Sequence, residues 1–496
     1  MRVPDDAAHR RTTRRRFMDF CMKHVLHGLC VFLLALALAE PSVGRERPNV
    51  LFILVDDLGW SDVSYNGSLV YETPHVDRLA SQGMVLTDFY SAGPVCSPTR
   101  ASILTGKAPA RLGLTTWLYT PEKDPPFVAH HLPLDEFTIA EAFQEAGYAT
   151  GYFGKWHLGY KPEHWAAHQG FATAKGGIDS PHAWKLFRPE RDPSLPEDHT
   201  RFFSPYRMTH LEDGPDGEYL TERLTDETIA FIEQQSEQAG GNGKPFFAFL
   251  SFHTVHTPLQ PKPEKIEKYR AKIAALGLDA KQESNRREKA FQNNAAYAGM
   301  VEHMDENVGR LLHRLDELDL SNDTIVIWTS DNGGKGSVTS NLPLRGMKHN
   351  LYEGGIRVPT IVRWPGQIAA GGRNATPLIS TDFYPTLLEL TGCGLRDDQH
   401  VDGVSFSGVL RGEGDSLDRE ALYWHYPHNR HEGAVREGRY KLLHRFREDR
   451  AELYDLVEDL GEQRDLSSKR PDLAPRLLEK LQRWQTSVGA RFDQGE

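Results

Sequence analysis

The sequence predicts an α/β protein with a large, mostly parallel sheet flanked by helices, followed by a small C-terminal antiparallel sheet with one helix. Three observations carry that prediction. Unbroken apolar runs of strand length recur at residues 49–55, 148–153, 246–252 and 324–328, and such runs mark strands buried on both faces. Segments of helical character separate them at 136–145, 217–235 and 294–318. Beyond about residue 400 the pattern changes to short strand-like pieces joined by tight turns.

Composition narrows the class. A chain of 496 residues that is 39% hydrophobic, with 43 Gly and 30 Pro, suits a loop-rich globular enzyme and excludes a fibre or a disordered polypeptide. Residues 1–39 stand apart: seven Lys/Arg and three Asp precede or flank the apolar run from Val31 to Ala39, and Ala37-Leu38-Ala39 offers a small-x-small cleavage pattern. This is the order of an export signal, too short to span a bilayer, so a periplasmic or secreted protein without a stable membrane anchor is expected. Thr13-Arg14-Arg15-Arg16-Phe17-Met18 is similar to a twin-arginine motif, with Asp19 at a position more often basic. Loss of this segment's net +4 takes the charge from −11 to −15. An acidic surface argues against nucleic acid as a partner, and an anionic substrate then needs a local basic pocket. The expected organisation is a signal at 1–39, a catalytic domain at 45–395 and an α+β subdomain at 400–490.

Taken in order, the strand at 49–55 stops at Asp56-Asp57, where ligand sites of open α/β sheets lie. Adjacent carboxylates repel unless a cation neutralises them, and a second acidic strand end follows at Asp331-Asn332. Asp56, Asp57, Asp331 and Asn332 together offer a hard, all-oxygen ligand set for one divalent cation, Ca²⁺ first and Mg²⁺ second. Thr73-Pro74 starts a scaffold helix with Thr73 as its cap. Cys96-Ser97-Pro98-Thr99-Arg100 opens another, closed by Gly106, whose N-terminus lies at Cys96 and favours an oxyanion. The strand at 148–153 ends in Gly154-Lys155-Trp156-His157, and an extended continuation puts Lys155 and His157 on one side. Residues 161–215 read as long loops over the pocket, with Ser180 and His182 as candidate substrate contacts. The strand at 246–252 leads to His253 and His256, and the helix at 294–318 carries a core stripe. Strands at 421–426, 433–437 and 439–445 and a helix at 473–488 complete the chain.

The string CSPTRASILTG resembles the signature of the type I sulfatases of the alkaline phosphatase superfamily. GKWHLG, the His256-Thr257-Pro258 segment, Asp331-Asn332-Gly333-Gly334 and the stretch from Leu344 to Pro359 match further blocks of that family. The resemblance implies an alkaline phosphatase-like fold, and oxidation of Cys96 to formylglycine by a formylglycine-generating enzyme. It implies that a hydroxyl of the hydrated aldehyde attacks sulfur, helped by the metal and Arg100. Lys155, Lys348 and the metal would stabilise the sulfate oxygens. His256, with Lys348, would protonate the leaving oxygen, and His157 would assist release of sulfate. With Cys96 converted, Cys393 has no partner and the mature fold has no disulfide. The expected substrate is a sulfated small molecule or polysaccharide, with a sulfated carbohydrate favoured by the polar and aromatic loops. Two alternatives stay open: a phosphate or phosphonate monoesterase using the same pocket, and a non-catalytic carbohydrate-binding protein whose Cys96 remains a thiol.

Overall fold

Strand β1 (Asn49–Val55) is completely buried because it feeds two cores at once. Leu51, Ile53 and Val55 point into one apolar layer, and Val50, Phe52 and Leu54 into the other. The computed structural model describes residues 47–119, 124–176, 202–206, 208, 210–238, 243–283, 285 and 287–493. The expected export signal and the candidates Ser180 and His182 lie outside these residues.

β1 pairs in parallel with β6 (Phe246–Ser251) and β7 (Thr324–Ser330). Beyond β6 come β4 (Ala149–Gly154) and the edge strand β5 (Thr173–Lys175), both parallel. Beyond β7 come β8 (Thr360–Arg363), β2 (Met84–Leu86) and β9 (Gly372–Asn374). Of the eight strands, β8 alone runs against the others. Helices α1 (Pro74–Gln82), α4 (Leu220–Gln238), α5 (Pro263–Ala275) and α6 (Ala295–Glu317) cover the Leu51 face. Helices α2 (Cys96–Thr105), α3 (Ile139–Glu145) and α7 (Phe383–Leu390) cover the Phe52 face, where Phe52 stacks on Phe249 at 4.6 Å. Among the described residues no helix is long and apolar enough to cross a membrane.

Several expected boundaries move for local reasons. α3 starts at Ile139, not Glu136, because Thr138 accepts from the Glu141 amide at 3.2 Å while the Glu141 carboxylate accepts from the Thr138 amide at 2.6 Å. Thr73 precedes α1 but does not cap it: its hydroxyl donates to Asp77 and accepts from the Ser64 amide. The capping carboxylate comes instead from α6, where Asp305 accepts from the His75 and Val76 amides at 3.2 and 2.8 Å. β5 lies within the stretch read as loops, and α5, which buries only Tyr269 and Ile273, had no apolar stripe to reveal it.

The C-terminal sheet has four antiparallel strands: β11 (Leu422–Tyr426), β12 (Glu432–Glu437), β13 (Tyr440–Arg445) and the unpredicted β14 (Arg450–Asp455). One face carries α8 (Ala474–Ser487), whose Leu477 and Leu481 pack on Val435, Leu442 and Leu453. Full burial of each such leucine contributes about 1.5–3 kcal/mol. The other face packs Trp424, Ala434 and Leu443 against Tyr90, Val95 and Ile356, and Trp424 Nε1 donates to Ser91 O at 2.8 Å.

Burial raises the Asp305 carboxyl to about 7, against the pull of the two amides it caps. A raised carboxyl lends stability that is full below its unfolded value near 4 and is lost as pH climbs through about 7. Asp305→Asn removes that dependence. Between pH 5 and 8, thermal unfolding should therefore show the wild type losing on the order of 2 kcal/mol more stability than the variant, at about 1.4 kcal/mol per unit. Equal losses in both proteins would refute the assignment.

Candidate active site

Three buried carboxylates meet where β1 and β7 end side by side. Asp56 and Asp57 follow β1, Asp331 follows β7, and the Asp57 amide donates to Asp331 Oδ1 at 3.2 Å. Each carboxylate has a cation of its own. Lys155 Nζ reaches Asp56 at 2.5 Å, Lys348 Nζ reaches Asp57 at 2.5 Å, and Arg100 reaches Asp331 at 2.7 Å. Cys96, only 1% exposed, sits among them at the first turn of α2. Its Sγ lies 3.3 Å from Lys155 Nζ, 3.5 Å from Lys348 Nζ and 3.4 Å from Asp56 Oδ1. Gly106, with φ 67°, closes α2 as expected.

The backbone is shaped to allow this convergence. β4 ends at Gly154, with φ 109°, where a Cβ would stand 1.9 Å from the Ser251 carbonyl. Only glycine lets the chain turn there and send Lys155 into the pocket, with its amide on Ser251 O at 2.9 Å. Gly333 plays the same part after Asp331-Asn332, since a Cβ would meet Gly354 O at 1.9 Å. Asp57, His157 and His349 all hold φ between 62° and 75°, a left-handed conformation that costs non-glycine residues about 1–3 kcal/mol.

Charges follow from these contacts. Burial opposes ionisation of Asp57, but the ammonium of Lys348, then His256 and Lys155, hold its carboxyl far below the usual range. Burial likewise works against the Lys155 and Lys348 charges, and their carboxylate partners overcome it and hold both above the ordinary lysine value. Asp331 is raised, chiefly by burial and by Asp56, in spite of Arg100. Burial, helped by Asp331 and Asp56, pushes the Cys96 thiol well up. An unmodified Cys96 is therefore a protonated thiol and a poor nucleophile.

Two oxygens in this cluster are left over. Asp57 Oδ2 and Asn332 Oδ1 are buried and accept no hydrogen bond among the described residues. The amide of Asn332 is oriented by Nδ2, which donates to Asp57 Oδ1 at 2.8 Å and to Gly333 O at 3.0 Å. Ligand atoms of Asp56, Asp57, Cys96 and Asp331 lie within 4.8 Å of one another. Buried acceptors without donors beside paired carboxylates fit a hard divalent cation. The four oxygen donors read from the sequence are thus brought together.

The two histidines take different places. His157 does not continue β4; with φ 62° it turns, and Nε2 lies 2.8 Å from Leu118 O. A carbonyl only accepts, so Nε2 carries the proton. Leu118 in turn donates its amide to Ser97 Oγ, tying His157 to the start of α2. His256 has Nδ1 on Thr257 O at 2.6 Å, which turns Nε2 toward Asp57 Oδ2 at 3.6 Å. Burial lowers this imidazole to about 3, against the pull of Asp57. His253 holds His256 through its carbonyl, which accepts the His256 amide at 3.0 Å.

This arrangement has known counterparts. The sulfatase family model matches residues 48–393, and a model described as N-sulphoglucosamine sulphohydrolase, C-terminal, matches residues 347–487. A sulfatase of Formosa agariphila is 31% identical over 538 residues, covering 93% of each chain. The chain belongs to the sulfatase family. Other sulfatase relatives are the mouse N-acetylgalactosamine-6-sulfatase, 31% identical over 76% of this chain and 69% of its own, and the human steryl-sulfatase, 30% identical over 80% and 75%. A solved structure described as Ps i-CgsB in complex with k-i-k-neocarrahexaose superposes with a TM-score of 0.74 at 27% identity, covering 88% of this chain and 93% of the other. Like its relatives, this sulfatase is an enzyme built on the alkaline phosphatase-like fold.

The sulfatase pocket also holds residues that sequence reasoning passed over. Lys335 Nζ donates to Thr257 Oγ1 at 3.1 Å, beside His256. His349 packs edge-on against Trp117 at 4.9 Å and brings Nδ1 to 3.4 Å from the Tyr426 hydroxyl. The C-terminal sheet therefore reaches His349 through Tyr426. None of these carries a local pattern of its own, although Lys335 follows Asp331-Asn332-Gly333-Gly334 and His349 follows Lys348.

The clash at Gly154 can be separated from its φ. Gly147 also has a positive φ, 87°, but an added Cβ there meets nothing within 4 Å. Gly147→Ala should lose about 1 kcal/mol of stability and keep full turnover, whereas Gly154→Ala should lose about 3 kcal/mol or more and most of the turnover, as Lys155 shifts. Denaturant unfolding and steady-state rates on both variants test this; matching effects would refute it.

Proposed function

We propose that this protein is an exported, formylglycine-dependent sulfatase that hydrolyses sulfate monoesters of carbohydrates and holds one divalent cation, calcium by preference. The observation that carries the reading is Cys96 lying between two lysines and three carboxylates, next to two buried oxygens that lack donors. A cation held by Asp56, Asp57, Asp331 and Asn332 would supply Lewis-acid charge beside position 96. Hard oxygen ligands with one amide favour Ca²⁺ over softer metals.

The raised thiol of Cys96 supports its conversion, since a protonated, buried thiol neither attacks nor leaves readily. Formylglycine supplies what it lacks, an attacking oxygen and a second hydroxyl by which sulfate is expelled. The chain's own residues do the rest. Arg100 is locked by Asp331, by Lys155 O at 2.7 Å and by Ser251 Oγ at 2.5 Å, and it fixes the carboxylate bed. Lys155 and Lys348, each within 3.5 Å of Sγ, are placed to hold the oxygens of a sulfate brought against position 96. They are ammonium groups before substrate arrives, so little reorganisation is needed.

Proton transfer falls to the histidines and Lys348. His256 is neutral, lowered first by burial and then by Lys348 and Lys155, against the pull of Asp57. An anionic ester seated on those lysines offsets their push and favours a proton at Nε2, ready for the departing oxygen. His157, protonated at Nε2 by its bond to Leu118 O, has Nδ1 as its basic nitrogen for the release step.

A carbohydrate substrate is supported by the mouse N-acetylgalactosamine-6-sulfatase and by the neighbour solved with a neocarrahexaose. Export and the modifying enzyme are inferred from residues 1–39 and from CSPTR.

Mass spectrometry of the peptide containing position 96 from active protein should show sulfur and two hydrogens lost and one oxygen gained; an intact thiol would refute the nucleophile. Metal-stripped protein should gain thermal stability on Ca²⁺ addition, by about 2.7 kcal/mol at a hundredfold excess over Kd, and Asn332→Ala should blunt that gain. The purified enzyme should prefer aryl sulfate to aryl phosphate, and the reverse order would favour a phosphatase. His256→Ala should cost about 10²–10⁴-fold with a sugar sulfate and much less with nitrophenyl sulfate, whose good leaving group needs no proton. Equal losses on both esters would remove His256 from the acid role.

A further inference from the structure

The charges around Cys96 cancel in three pairs, Asp56 with Lys155, Asp57 with Lys348 and Asp331 with Arg100. Lys335 is left over. Among the described residues it has no carboxylate within ion-pair distance, and its described contact is the Thr257 hydroxyl at 3.1 Å. It stems from the Asp331–Gly334 turn, and the Lys348 amide donates to Gly334 O at 3.1 Å, so the two lysines leave adjoining backbones. Their heads then part: Lys348 goes to Asp57 and Cys96, and Lys335 goes to the segment bearing His256. His349 lies within electrostatic reach of both lysines and of His256.

A half-buried ammonium with no carboxylate at ion-pair distance is unfavourable by desolvation, and burial lowers Lys335 below the ordinary lysine value even though Asp57 pulls the other way. Such a charge is satisfied by an anion that arrives with the ligand. It is not aimed at the transferring sulfate, which Lys155 and Lys348 already bracket at position 96. It stands on the side of His256, where the alcohol departs.

We propose that Lys335 recognises a second anionic group, a further sulfate or a carboxylate, carried on the alcohol portion of the sulfate ester. This rests on the sulfatase reading above and narrows its substrate to polyanionic saccharides.

The test compares Lys335→Gln and Lys335→Arg with wild type on four esters: nitrophenyl sulfate, a hexosamine monosulfate, a hexosamine disulfate and a monosulfated disaccharide bearing a uronate. K335Q should lower kcat/KM about 10- to 100-fold on the disulfate or the uronate, mostly through KM, and less than about threefold on the first two, with K335R restoring most of the loss. The polyanion that suffers more identifies sulfate or carboxylate as the recognised group. Equal losses on all four esters would place Lys335 on the transferring sulfate and overturn the proposal, as would no loss on any. Calorimetric binding of the disulfate and the uronate ester in a Cys96→Ala background, with and without K335Q, reads the same contact without turnover. A wild type that hydrolyses none of the esters defeats the sulfatase reading, while the binding comparison still decides for or against Lys335.

Discussion

Three carboxylates buried at one rim of the sheet repel one another, and everything near them answers to that repulsion. With their ligand oxygens no more than 4.8 Å apart and an effective dielectric near 20, each like pair costs about 3 kcal/mol or more. The structure meets this with three cations drawn from places far apart in sequence: the start of α2, the turn after β4 and the segment from Leu344 to Ile356. Strand order makes the meeting possible. β1 lies between β6 and β7, with β4 next to β6, so four chain ends open at one rim of the sheet. Glycines 154 and 333 allow the rim segments to approach until backbone touches backbone.

A second buried charge network steadies the rim from behind. Glu353, in the turn that follows Lys348, pairs with Lys441 at 2.9 Å and Arg357 at 3.2 Å, and Lys441 also reaches Glu462 at 3.0 Å. Arg436 bridges back to Asp88 at 2.7 Å. Removing one member of such a set leaves an uncompensated charge, which typically costs about 3–5 kcal/mol. The C-terminal sheet is therefore a brace for the Lys348 segment as well as a wall of the pocket.

Much of this was legible in the chain. β1, β4, β6 and β7 declared themselves because strands covered on both faces must be apolar throughout, and Asp56 and Asp331 stood out as charges that end them. α6 was read almost to the residue, since Asn294 caps it and its apolar stripe runs unbroken. The two- and three-residue strands β2, β3 (Phe89–Tyr90), β5, β9 and β10 (Leu378–Ile379) were not visible, because pairing partners and not local pattern make them. The same holds for the cap of α1, supplied by Asp305 across more than two hundred residues, and for His349 and Tyr426, which reach the pocket only through tertiary packing.

The seclusion of Cys96 also sets an order of events. Every residue of α2 is buried, and Trp424 from the last sheet closes over Ser91, just upstream. With those layers docked, Cys96 keeps only 1% of its surface exposed. An enzyme that rewrote the Cys96 side chain, as proposed above, would meet it more readily in the unfolded chain than behind these layers, so the architecture that shelters position 96 would also favour an early visit.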